Sequence, residues 1–249
     1  MKKMEISASS LKWIALITML IDHFAACLWL NIGEFTGLTG KGLIVSYYAL
    51  RCIGRFAFPL FIFLLAEGFY YTRSRKKYLI RLLAFAFISE IPFDLALYLN
   101  NSEVRGGQIF TLAHQNVYFT LVFGFLSMLL LEEITKREWA RGLKVLAGVG
   151  VLVLCGGAAE LFHTDYGFYG VLAITEAWYL RRTGSRLWEM AAIVAILTVS
   201  AWIEAVAFLN LPLVAGYHGK QGKKGNRWFF YAFYPLHLFL LFCIRMILF

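Results

Sequence analysis

Charge is scarce in this chain. Asp, Glu, Lys and Arg make up 16% of its 249 residues, where soluble domains carry roughly 25%. No CxxC pair occurs: Cys27, Cys52, Cys155 and Cys243 stand alone in apolar stretches. That argues against a disulfide framework or a thiolate metal site and for small buried hydrophobes. Also missing are a P-loop, a Rossmann glycine fingerprint, an HExxH helix and a nucleophile elbow, so the nucleotide, zinc and serine-hydrolase chemistries those motifs serve have no support here. No metal is expected. Nothing between the apolar runs is long enough to fold as a soluble domain, and no internal repeat is evident, which weakens a transporter built from inverted halves.

What is abundant is apolar sequence. The chain is 60% hydrophobic with a mean hydropathy of +0.67, and its runs of ~20 apolar residues each match a ~30 Å hydrocarbon core. The expected fold is therefore all-α, one polytopic transmembrane bundle over residues 1–249. The net charge of +9 would raise nucleic-acid binding in a soluble protein. Here the cations sit in short loops beside apolar segments, as the positive-inside rule predicts, and no nucleic-acid partner is expected. Asp22 and His23 interrupt the run before Ala25-Ala26-Cys27, so residues 1–30 read as a retained first span rather than a cleaved signal.

Spans are expected near residues 11–30, 56–71, 78–99, 116–131, 140–156, 167–180, 186–202 and 228–249. Residues 43–54 read as a half-helix or interfacial piece. Residues 204–217, broken by Pro212, either cross or re-enter, giving eight or nine spans. The basic groups Lys2/Lys3, 73–81, Arg181/Arg182 and 220–227 share one side if residues 204–217 cross. The amino terminus is then cytoplasmic, in a bacterial cytoplasmic (inner) membrane, and nine crossings put the carboxyl terminus outside.

Ionisable residues inside the apolar runs are the functional signal, because each costs at least ~2.5–3.5 kcal/mol at the bilayer centre. They are Asp22, His23, Glu67, Glu90, Asp94 and His237. At a rise of ~1.5 Å per residue, His23 lies ~17 Å beyond Lys12 and His237 ~15 Å beyond Arg227, so the two imidazoles reach one depth. A neutral imidazole suits a general base; a buried hydrogen-bonded pair is the purely structural alternative. Asp22 points ~100° away from His23 and is expected to pair with Arg51 or Arg55, or to orient His23 through a neighbouring helix. Glu90 and Asp94 share a helical face beside Pro92, which removes a bond to the Ile88 carbonyl. They are expected on a cavity wall or as neutralisers of Arg51 or Arg55. One cavity, open toward the basic loops, is expected to hold both histidines with Glu90 or Asp94 on its wall.

Seven segments also carry a resemblance. Residues 11–23 (Leu11-Lys12-Trp13 through Ile21-Asp22-His23), 51–61 (Arg51-Cys52-Ile53-Gly54-Arg55 through Phe61), 66–69, 71–78, 89–94 (Ser89-Glu90-Ile91-Pro92-Phe93-Asp94), 116–120 and 231–237 (ending Pro235-Leu236-His237) resemble the TraX family. The likeness covers nearly the whole chain. It is strongest over 11–120 and 226–240, while 121–215 matches mainly in apolar character.

The family's named member is associated with N-terminal acetylation of conjugative pilin. The resemblance therefore implies a membrane acyltransferase using acetyl-CoA, similar in logic to other polytopic acyltransferases with a histidine in the first span. The acceptor would be a protein amino terminus or a surface glycan, and membrane lipids are the other partner. His23, Asp22, His237, Glu90 and Asp94 are the catalytic candidates. Candidates for holding CoA are Arg51, Arg55, Arg73, Arg75, Lys76, Lys77, Lys220, Lys223, Lys224 and Arg227, since paired cations suit phosphates. Two rival readings stand beside it: a proton-coupled transporter or flippase using Glu90, Asp94 and His23 as a relay, and a non-enzymatic surface-assembly factor.

Overall fold

The computed structural model describes residues 5–223 and 225–249. Lys2, Lys3, Lys224 and the Arg227 side chain, all counted above as basic anchors or CoA candidates, lie outside the described residues. Among those described, the regular structure is helical and strands are absent.

Short polar side chains start the helices. The first, α1 (Ala8–Phe24), is capped by Ser7, whose Oγ accepts from Ser10 N at 3.1 Å. It runs on through a π-helical turn, Ala25–Trp29, into α2 (Leu30–Thr36), and ends at Gly37 with φ of 74°. Then α3 (Gly40–Gly54) and α4 (Ala57–Tyr71) form one bent 32-residue stretch. Residues 43–54 are thus not a separate half-helix. The bend falls at Arg55–Phe56 because Pro59 has no N–H to bond the Arg55 carbonyl.

Ser74 caps α5 (Arg75–Phe93), which contains Pro92 and loosens into a π-helical segment, Asp94–Tyr98. A short α6 (Asn101–Arg105) lies in the next loop. Asn116 caps α7 (Val117–Lys136), which is followed by α8 (Arg141–Leu161), α9 (Gly167–Arg181) and α10 (Arg186–Ser200). A 3₁₀ helix, Trp202–Asn210, leads into α11 (Leu211–Ala215). Asn226 caps the last helix, α12 (Arg227–Leu248).

Among the described residues, five stretches are long and apolar enough to cross a membrane: Ala8–Gly33, Gly40–Tyr71, Val117–Lys136, Arg141–Leu161 and Trp228–Leu248. Eight or nine were expected. The shortfall has a physical origin: α9 and α10 have only 15 residues each, and α5 opens with Arg75, Lys76 and Lys77.

In the bundle, α1 packs on α3, α4 and α12, α5 lies between α7 and α12, and α9 touches α4, α7, α8 and α10. Phe63, Phe69, Phe93 and Phe125 fill the centre. The outward faces of α3 and α8 expose Val45, Leu146, Val153 and Leu154; in a bilayer such side chains meet lipid as apolar as themselves.

Two sets of contacts define the ends. At the basic end, Ile6 N donates to Gly216 O and Ala8 N to Lys220 O, both at 2.9 Å. Glu67 at the close of α4 pairs with Arg181 Nε at 2.6 Å. At the opposite end, Gln115 N donates to His163 O (3.0 Å) and Asp165 N to Gln115 O (2.9 Å), joining the loop before α7 to the loop before α9.

Candidate functional site

Midway along the bundle, α1, α3, the 3₁₀ helix and α12 converge on a cluster of ionisable groups. Asp22, 6% exposed, accepts from Arg51 Nη1 at 2.5 Å through Oδ2 and from Arg55 Nη2 at 2.7 Å through Oδ1. Arg55 Nη1 also reaches Glu204 Oε1 at 2.8 Å. Two carboxylates thus balance two guanidiniums where unpaired charge is expensive. Gly54 is what lets α1 and α3 approach this closely, since a Cβ there would collide with the Asp22 carboxylate.

One residue on from Asp22, His23 turns toward α12. Its Nδ1 lies 2.6 Å from His237 Nε2, with the two rings within 5° of parallel and centroids 4.9 Å apart. The centroid separation exceeds the N···N distance by about two ring radii, so the imidazoles meet edge to edge. His237 Nδ1 lies 2.7 Å from the Phe233 carbonyl oxygen. A carbonyl only accepts, so His237 Nδ1 carries a proton. In the neutral pair, His237 Nε2 then accepts from His23 Nδ1–H, and His23 Nε2 is left with a lone pair.

Three cavities run along the bundle in register. The basic-end cavity, about 810 Å³, is lined by Ala8, Lys12, Glu67, Tyr71, Lys223, Trp228 and Phe230. A narrow central cavity of about 80 Å³ has Leu16, Met19, His23, Phe61, Val117, Phe230 and Tyr234 on its walls. The far-end cavity, about 850 Å³, is lined by His23, Tyr47, Arg51, Arg55, Tyr98, His163, Asp165 and Glu204. Along α1 the walls pass in order from Ala8 to Ala26, and along α4 and α3 from Tyr71 back to Tyr47. Phe230 is shared by the first two cavities; Asp22, His23, Arg55, Asp165 and Tyr166 are shared by the last two.

The candidates therefore separate. His23 touches the central and far-end cavities, whereas His237 lines none of the three and stands behind His23. Glu90 and Asp94 also line none of them. Glu90 accepts from Asn116 N at 3.2 Å and contacts Asn116 Nδ2; Asp94 accepts from Thr111 N at 2.9 Å. They tie the loop before α7 onto α5, which answers neither as a cavity wall nor as partners of Arg51 and Arg55.

Among the cations, Arg75 contacts Glu132 and lies over the Phe69 ring, Lys220 pairs with Glu5 at 2.6 Å, and Arg73, Lys76 and Lys77 lie outside the three cavities. Lys12 and Lys223 line the basic-end cavity, while Arg51 and Arg55 sit beyond His23 from it.

Glu204, Asp165, Tyr166 and Tyr234 belong to the site and were not singled out as site residues from the sequence. An acid opening a short apolar segment was the signal for Glu204. Tyr234, three residues before His237, shares its helical face. Asp165 makes no hydrogen bond or ion pair through its side chain among the described residues; exposed at the cavity edge, its carboxyl is pushed up to about 6, chiefly by desolvation.

A family model described as TraX protein matches residues 7–245. The chain belongs to the TraX family. A curated relative, the probable fimbrial assembly protein FimC, serogroup H1, of Dichelobacter nodosus, is 30% identical over a 269-residue alignment covering 99% of each chain. No solved structure matches this TraX-family chain. Its apolar helices and its family agree on a membrane protein.

Proposed function

We propose that this TraX-family protein is a membrane-embedded acyltransferase that moves acetyl from acetyl-CoA to an amine or hydroxyl acceptor. The observation that carries the reading is the position of His23. Its imidazole lines both the central cavity, which shares Phe230 with the basic-end cavity, and the far-end cavity. The CoA nucleotide sits in the basic-end cavity near Lys12 and Lys223, and its thiol arm enters the apolar central cavity, bringing the thioester to His23. The acceptor enters from the far end. His23 Nε2 takes the acceptor's proton as the new bond to the acyl carbon forms. The C–S bond breaks, and the proton passes to the departing thiolate. His237 and the Phe233 carbonyl hold the ring in the required tautomer, while Asp22, Arg51, Arg55 and Glu204 fix the helices around it. The relative's description as a fimbrial assembly protein supports a pilus-subunit acceptor.

The basic end is the cytoplasmic one, and the membrane is the bacterial inner membrane. On this reading the chain makes nine passages, a count supported by the contact of residues 216–220 with the start of α1. The 3₁₀ helix supports a crossing by so short a segment, since its rise is ~2.0 Å per residue against ~1.5 Å in an α-helix.

Purified protein should bind acetyl-CoA, and mass spectrometry should find an acetylated product only in cells carrying the gene. His23→Ala should lower turnover by roughly 10²–10⁴-fold, the usual worth of a general base, with insertion intact. The row of cavities also suits a transporter or flippase. Purified protein that binds no acetyl-CoA would favour that reading, or the non-enzymatic assembly factor.

A further inference from the structure

Tyr234 carries a buried hydroxyl that the fold leaves unemployed. Its side chain lies on the wall of the central cavity and is 3% exposed. Its hydroxyl has no hydrogen-bond partner among the described residues. The contrast with Tyr118 is instructive. Tyr118 lines the same cavity and packs edge-on against the Tyr234 ring, with centroids 5.4 Å apart, yet its hydroxyl donates to the Tyr231 carbonyl at 3.1 Å.

A buried donor without an acceptor is costly, and buried polar groups are nearly always satisfied. Leu16, Met19, Phe58, Phe61, Leu121 and Phe230 on the cavity wall offer no acceptor, and the acceptors that share the wall, on Asp22, His23, Asp165 and Tyr166, make no hydrogen bond to the Tyr234 hydroxyl. A group that fills the space is placed to supply one. Tyr234 also flanks the base, since its ring meets His23 edge to face at 5.7 Å between centroids.

We infer that Tyr234 donates a hydrogen bond to the carbonyl oxygen of an acyl group lodged in the central cavity, and strengthens it as that oxygen gains negative charge. The inference rests on the acyltransferase reading. It gives that reading a group on the electrophile to match His23 on the nucleophile. As the acceptor adds, the C=O π pair moves onto oxygen, where the phenol O–H meets it. When the C–S bond breaks, the pair returns to the carbonyl. The phenol keeps its proton throughout. Such a preorganised donor acts on the transition state more than on the bound substrate.

Tyr234→Phe removes the hydroxyl and almost nothing else. Turnover with acetyl-CoA should fall roughly 10²–10³-fold, as for loss of one oxyanion donor, with the KM for acetyl-CoA within about threefold of wild type. Thermal stability of the ligand-free variant in detergent should equal or exceed wild type, because an orphan hydroxyl has gone. A hydroxyl with a structural role would lower it.

A spectroscopic arm reads the contact directly. With acetyl-CoA carrying a ¹³C carbonyl bound to His23→Ala, the carbonyl stretch should lie at lower frequency than in His23→Ala/Tyr234→Phe. Turnover of Tyr234→Phe within twofold of wild type, or an unmoved carbonyl band, would overturn the assignment while the acyltransferase reading stood. Wild-type protein that neither binds acetyl-CoA nor forms product would remove both.

Discussion

Two apolar helices carry paired ionisable residues, and the fold treats them in opposite ways. In α1, Asp22 and His23 are neighbours, so they point to different sides. Asp22 is held by Arg51 and Arg55, while His23 is free to face the cavities. At the end of α5 and the start of the π-helical segment after it, Glu90 and Asp94 turn to the loop before α7, where the backbone N–H groups of Asn116 and Thr111 meet them. Both arrangements answer the cost of a carboxylate in an apolar span. One uses charged side chains from other helices and leaves an imidazole facing the cavities; the other uses loop amides and leaves Glu90 Oε1 and Asp94 Oδ1 buried without a hydrogen-bond partner. A carboxylate inside a span is therefore evidence of a partner, and only the partner's identity tells scaffold from site.

The widest gap between the two regions should appear on breaking the α1 network. Arg55→Met leaves Glu204, 2% exposed, without its cation and Asp22 with Arg51 alone. Loss of one partner from a buried charge set costs roughly 3–5 kcal/mol. Detergent-solubilised protein should lose that much on denaturant titration. A loss under about 1 kcal/mol, as for an exposed pair, would mean that water reaches the cluster freely.

Glu90→Leu should have the smaller effect expected of a tether. It orphans Asn116 N, while Asn116 Nδ2 keeps the Ala86 carbonyl at 2.8 Å; the loss should be roughly 1–3 kcal/mol, and the proposed acyl transfer per folded molecule should stay within about twofold of wild type. Turnover that collapses in a well-folded Glu90→Leu protein would put the α5 pair back among the working groups and erase the contrast with α1.

Much of this was legible in the sequence, and the missing parts share a cause. Counting ~1.5 Å per residue from Lys12 and Arg227 placed His23 and His237 at one depth, and they meet at 2.6 Å. The count worked because both helices start from anchors at the same end. Pairing of Asp22 with Arg51 and Arg55 was also within reach, the partners lying on consecutive helices. Arg51 and Arg55 nonetheless read as the end of an apolar piece, so a 32-residue stretch was divided in two. Two positive charges mark a membrane boundary unless acids cancel them, and one of those acids, Glu204, lies 149 positions away. The partners of Glu90 and Asp94 were invisible for another reason: backbone amides leave no trace in residue identity.

The smallest expected effect tests the rim of the site. Asp165 sits where the central and far-end cavities join. Desolvation pushes its carboxyl up to about 6, with Arg55 opposing and Asp22 adding to the rise. Unfolded, an Asp titrates near ~3.9, so folding favours the protonated form. The stability this contributes is present below about pH 4 and lost as pH rises through about 6. An amide in its place does not titrate. Asp165→Asn should therefore be more stable than wild type above about pH 6, with a difference that shrinks as pH falls toward about 4; other carboxylates cancel in the comparison. Because Asp165 is open to the cavity, solvent screens the effect, and the melting-temperature gap should be only about 1–3 °C. A gap that stays constant from about pH 4 to about pH 7 would show Asp165 titrating as an ordinary surface acid, and the junction between the two cavities would then be wet rather than dry.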